Sequence, residues 1–150
     1  MRTAATIVQA AALLLLGAGT VAAQCSECSG KKAAVHPQFF FKKLDGYSLP
    51  PPASIQLRDH PEEPVVFHVI VALNGKPCSV DLVGELPPKL SQAVLAVGEA
   101  MLTWRFKPAF VVEDGHQVCL ESKIFVYFRG AAGKTILLIP YLTDAGEKPN

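Results

Sequence analysis

The apolar pattern along the chain changes period several times, and each change marks an element. Residues 65–73 form a run rich in β-branched side chains, Asn74-Gly75 is the strongest short hairpin signal, and residues 78–83 resume as a second strand. With Asn74 and Gly75 as the loop, Leu73 faces Lys76 and every facing pair sums to 149. Val71 then meets Cys78, Val69 meets Val80 and Phe67 meets Leu82 on one apolar face. Ile70 with Ser79 and His68 with Asp81 share the other, mixed face, as in a sheet covered on one side. Pro77 lacks an N–H, which places that end of the second strand at an edge. Pro87-Pro88 closes the next loop, and the period becomes helical over residues 89–103. Leu90, Val94, Val97, Met101 and Trp104 recur at spacings of four and three, forming one stripe that can cover the hairpin. Gly98 on this helix allows a close approach to the sheet. Pro108 bars continuation, Asp114-Gly115 makes another turn, and residues 117–128 form a third strand. Its core face carries Val118, Leu120, Ile124, Val126 and Phe128, with Ser122 interrupting the row.

The flanks read differently. Residues 1–23 begin with Arg2, continue through an apolar run at 10–18 and end on Val21-Ala22-Ala23, the layout of a secretory signal peptide cleaved near Ala23. The expected location is therefore periplasmic or secreted. Residues 24–61 are a lead-in in which Phe39-Phe40-Phe41 packs on the folded part and Pro50-Pro51-Pro52 is a stiff spacer. Residues 62–130 form the folded domain, and residues 131–150 a tail whose 136–139 segment docks as a short strand or an extended cover. The predicted fold class is α+β: a two-stranded hairpin, a helix and a third strand, giving a small antiparallel-type sheet with the helix on one face. The first strand lies in the middle and the third is parallel to the second, at an edge. An open edge strand is a pairing template.

Charge and cysteine content narrow the function. Fourteen basic against thirteen acidic side chains make no basic patch of the kind nucleic acid requires. All four cysteines, Cys25, Cys28, Cys78 and Cys119, lie beyond the cleavage site and are disulfide candidates in an oxidising compartment. Cys25-Ser26-Glu27-Cys28 is compatible with a redox pair, a metal half-site or a structural bridge. Ser29 rather than His after it excludes haem attachment, and one distant His36 is poor support for zinc. Cys78 and Cys119 start the second and third strands at the same end of the sheet, but Cys78 falls on the core face and Cys119 on the other. Their pairing stays open. The facing His68 and Asp81 read as a structural cross-strand pair. No nucleophile elbow or metal-binding helix is present, so no cofactor, metal or enzymatic activity is expected. The enzymatic alternative is a thiol-disulfide oxidoreductase using Cys25 and Cys28.

Three features taken together resemble the C-terminal domain of the TonB family. They are the hairpin Val65-Val66-Phe67-His68-Val69-Ile70-Val71 with Asn74-Gly75, the run Trp104-Arg105-Phe106-Lys107-Pro108-Ala109 after an amphipathic helix, and Gly115 leading into Val118. The resemblance covers about residues 62–129. The short lead-in, and the absence of a histidine before His36, match a secreted, free-standing TonB-like domain rather than a membrane-anchored transducer. The resemblance implies a three-stranded sheet that takes up a short peptide, the TonB box of an outer-membrane receptor, as an added strand. The implied edge comprises Val118, Leu120, Ser122, Ile124 and Val126. Trp104, Arg105, Phe106 and Pro108 are the structural family motif, with Trp104 buried and Arg105 facing out. The expected partner is a protein or peptide of the cell envelope. A self-associating structural role, with a homodimer, is the alternative.

Overall fold

The structure is a computed structural model that describes residues 28–50, 64–131 and 134–142. The expected signal peptide, Cys25, most of the proline spacer and the boundary before Pro64 lie outside these residues. The described elements run β1 (Lys32–Ala34), α1 (Pro37–Lys42), β2 (Leu44–Gly46), β3 (Val65–Val71), β4 (Pro77–Val83), α2 (Ser91–Leu102), β5 (Arg105–Phe106), β6 (Val111–Glu113), β7 (His116–Ala131) and β8 (Lys134–Leu138). A short 3-10 turn, Pro88–Leu90, leads into α2. The fold is α+β, built on the order β1-β7-β3-β4, with β6 and β8 also paired to β7 and a separate β2-β5 pair.

The hairpin forms with the expected register over most of its length. Val66 faces Val83, Phe67 Leu82, His68 Asp81, Val69 Val80 and Ile70 Ser79, and then the register shifts so that Val71 faces Pro77. The cause lies at the turn. Ala72 N–H donates to the Lys76 carbonyl (2.8 Å) and Gly75 N–H to the Ala72 carbonyl (2.9 Å), closing a three-residue loop rather than a two-residue one. Gly75 sits at φ +83°, the left-handed position such loops require. The displaced residue is returned by a bulge at Cys78, which turns that side chain away from the core face. By contrast, Asp114 (φ 50°) and Gly115 (φ 78°) both adopt positive φ and make a tight two-residue turn between β6 and β7.

The core lies between the sheet and its helices. Val65, Phe67, Val69 and Val71 on β3 and Leu120, Ile124 and Val126 on β7 pack against Leu90, Val94, Val97 and Met101, the stripe read from the helical period. Gly98 lies close against the sheet, its absent Cβ position being 3.4 Å from a ring carbon of Phe67. Trp104 is fully buried and donates from Nε1 to the Ser48 carbonyl at 3.0 Å, while Arg105 and Pro108 are exposed.

The lead-in is more than a lead-in. The phenylalanine island forms α1, with Pro37 in its first turn and the His36 side chain accepting from Gln38 N–H. Phe40 and Phe41 enter the core beside Phe106 and Trp104, leaving Phe39 on the surface. The tail docks as expected, β8 pairing antiparallel with β7 from Tyr127 with Leu138 to Ala131 with Lys134.

Candidate functional site

β7 was expected to present a free edge, and most of that edge is taken by the chain itself. β1 lies along it in parallel, Lys32 facing Cys119 and Ala34 facing Glu121. The Val35 N–H donates to the Glu121 carbonyl at 2.9 Å, so the odd-numbered backbone groups of β7 point to this side. Continuous pairing of β3 with residues 120–126 takes up the even-numbered groups. Farther along, β8 occupies the same outer side, because a hairpin closed by Ala131 and Lys134 hydrogen-bonds through the odd residues. Between β1 and β8 the backbone groups of Lys123 and Phe125 face outward, and neither flanking strand's register reaches them.

This break in the ladder is a notch with built walls. Val35, His36, Pro37 and Ala34 form one rim, Tyr141 the other, and His68, Glu121, Ser122, Lys123 and Phe125 the floor, around a groove of about 430 Å³. Each flanking segment turns away at a proline, Pro37 after β1 and Pro140 after β8. Proline has no N–H to donate to a ladder, so neither strand continues across the gap. His36 and Phe41 hold the Tyr141 ring in edge and stacked contacts, each at 5.9 Å. Ser122 Oγ donates to the Val35 carbonyl at 3.0 Å, fixing the β1 rim. His68 Nε2 lies 3.2 Å from Glu121 Oε2, so the histidine turns to β7 and not to the facing Asp81.

The five residues expected to form the peptide-binding edge lie elsewhere on the strand. Val118, Leu120, Ser122, Ile124 and Val126 are all buried on the helix-facing side, and their alternation directs their backbone groups inward to β6 and β3. An added strand would meet Lys123 and Phe125 instead. The strand's odd positions carried that signal, being the wetter row, and the prolines at 37 and 140 marked both rims. Trp104, Arg105, Phe106 and Pro108 do not line the groove; Phe106 N–H donates to the Gly75 carbonyl at 2.9 Å, tying the run to the hairpin turn.

Three described cysteines, Cys28, Cys78 and Cys119, gather at the end of the sheet where β4 and β7 begin. Cys28 is bonded to Cys119, with Cα atoms 5.6 Å apart, so the CxxC does not close on itself and Cys78 and Cys119 do not bridge each other. The bulge at Cys78 brings its sulfur to the same face, 3.0 Å from Cys28 Sγ, and all three side chains are buried with Ala72. The segment between this cluster and β1 is clipped a second time, Lys31 Nζ lying 2.6 Å from Glu113 Oε2. That hydrogen bond and the charge of Glu113 raise the lysine pKa above its ordinary value. Among the described residues no group of His, Cys, Asp and Glu is arranged to hold a metal ion, and no helix is long and apolar enough to cross a membrane. No family model, curated protein or solved structure matches the chain.

Proposed function

We propose that the chain is an exported, non-enzymatic interaction module that takes up a short extended peptide segment in the notch of β7. The single observation that carries this reading is the interrupted ladder: outward-facing backbone groups of Lys123 and Phe125, walled at both ends by segments that prolines prevent from closing. At a strand rise of about 3.4 Å per residue the gap between Glu121 and Tyr127 is about 20 Å long, and the His36–Tyr141 ring contact that crosses it opens for a strand to enter. Backbone pairing supplies affinity and the walls supply selectivity. An apolar side chain fits against Phe125 and Tyr141, and an acidic one against Lys123. Strand addition is the mode of the TonB C-terminal domain that the sequence resembles, and a TonB box of an outer-membrane receptor is one such segment. The occupied flanks make the acceptor site here shorter than a full strand.

Titration of the oxidised, isotope-labelled chain with a panel of extended pentapeptides, TonB-box sequences included, tests this. Saturable shifts at Lys123, Phe125, His36 and Tyr141 are expected. Shifts confined to β4, or none across the panel, overturn it. A second reading, self-association, is favoured by one observation: among the described residues no strand covers the outer edge of β4, where Val83 is exposed. Pairing of two β4 edges predicts a concentration-dependent dimer in sedimentation, with the notch unchanged.

A further inference from the structure

We propose that the notch selects a three-residue peptide core of one polarity and order: an apolar residue, a small one and an acidic one, from N to C, laid antiparallel to β7. This selectivity rests on that edge being the binding surface. The open length is set by what the flanks already occupy. Val35 stands opposite Ser122, because its N–H holds the Glu121 carbonyl at 2.9 Å, the bond of a parallel ladder. At the other end Leu138 stands opposite Tyr127, and the buried Ile139 follows it. A guest is left the positions opposite Lys123, Ile124 and Phe125.

The chain's own flanks cannot close these positions. The next bond of the β1 ladder would bring Lys123 N–H to the Val35 carbonyl, but that carbonyl accepts from Ser122 Oγ at 3.0 Å. Counted on from β1, Pro37 falls opposite Ile124, and without an N–H it has nothing to give the Lys123 carbonyl. Counted on from β8, Pro140 falls opposite Phe125 and likewise cannot donate to its carbonyl. Both carbonyls lack a donor from either flank.

Polarity follows from hydrogen-bond geometry. An antiparallel guest places one residue opposite Phe125 and the next but one opposite Lys123, and each exchanges both its N–H and its C=O with β7. A parallel guest in the same positions bonds only through its middle residue, to the Lys123 carbonyl and the Phe125 N–H. The other two groups then stay unpaired. The antiparallel direction also fixes the order, since the guest meets Phe125 before Lys123. Its first residue lies beside Phe125, with Val66 beyond, where an apolar side chain fits. Its third lies beside the exposed Lys123, while the neighbouring Glu121 is engaged by His68 at 3.2 Å, so an acidic side chain fits. The middle residue points to the other face, where the Tyr141 ring, parted from His36, still stacks on the buried Phe41. Only a small side chain clears it.

The test is an N-methyl scan read by NMR titration of the oxidised whole chain. The probe is acetylated, amidated Ser-Leu-Gly-Asp-Ser, with its retro sequence as the control. Saturable shifts at Lys123 and Phe125 are expected, with the retro peptide weaker on the order of tenfold. N-methylation of the leucine or the aspartate weakens binding by about tenfold, and N-methylation of the glycine, whose N–H points away from β7, leaves it unchanged. Lys123→Glu turns the preference at the third position from aspartate to lysine. Sensitivity at the glycine alone marks a parallel guest and overturns the inference while strand addition stands. Equal affinity for the two orders, or a preference for aspartate kept by Lys123→Glu, overturns the side-chain assignment. Binding that no N-methyl group weakens, or no binding by any peptide, overturns the strand-addition reading and this inference with it.

Discussion

Gly75 shows how one position joins two parts of the molecule. Its φ of +83° closes the hairpin loop, and a Cβ there would overlap the backbone carbonyl oxygen of Phe106. Gly75→Ala therefore carries both left-handed strain and a backbone clash, and should cost about 1–3 kcal/mol, read as a lower urea midpoint with an unchanged slope. A change below about 0.5 kcal/mol, the range of a neutral surface substitution, would contradict the contact. The Asn74-Gly75 pair announces a turn at this place, and the facing pairs from Val66 to Ile70 follow from it. The loop length does not. Three residues close the turn, and Gly75 within it accepts from Phe106 N–H, a contact thirty-one positions away that no local pattern encodes. The bulge at Cys78 is the result, and with it the placement of Cys78 beside Cys28.

At the scale of elements, the helical stripe ending at Trp104 and the alternation of β7 were legible because one face of each is apolar at a fixed period. β1 and α1 were not. β1 is three residues long and pairs in parallel with a strand more than eighty positions away, so neither length nor alternation betrays it. α1 is six residues long, with histidine rather than a common capping residue at its start. The phenylalanine island signalled burial, which Phe40 and Phe41 bear out, but not the helix that divides them from Phe39. Phe40→Ala should destabilise by about 3–5 kcal/mol. Phe39→Ala, at a surface position, should stay within about 0.5 kcal/mol. Thermal or urea unfolding of the two variants separates them, and equal effects would mean that the lead-in does not share the core.

For the whole molecule, the decisive feature is how the sheet's edges are managed. A long strand such as β7 exposes a row of backbone groups that would template association. This chain covers that row from both ends, with β1 pinned by a disulfide and β8 folded back from the tail, and leaves a gap at Lys123 and Phe125. The coverage was half legible: the tail's apolar residues 136–139 foretold β8, whereas the lead-in strand emerged only from long-range pairing. Open and closed edge positions thus alternate within a few residues of one strand. The most direct measurement is residue-resolved amide exchange on the oxidised chain without ligand. Lys123 and Phe125 are predicted to exchange fast while Ser122 and Ile124, bonded to β3, and Glu121, bonded to β1, exchange slowly. Equally slow exchange at all five would mean that the notch is closed; fast exchange at Glu121 would mean that β1 does not hold the edge, and either result contradicts the account.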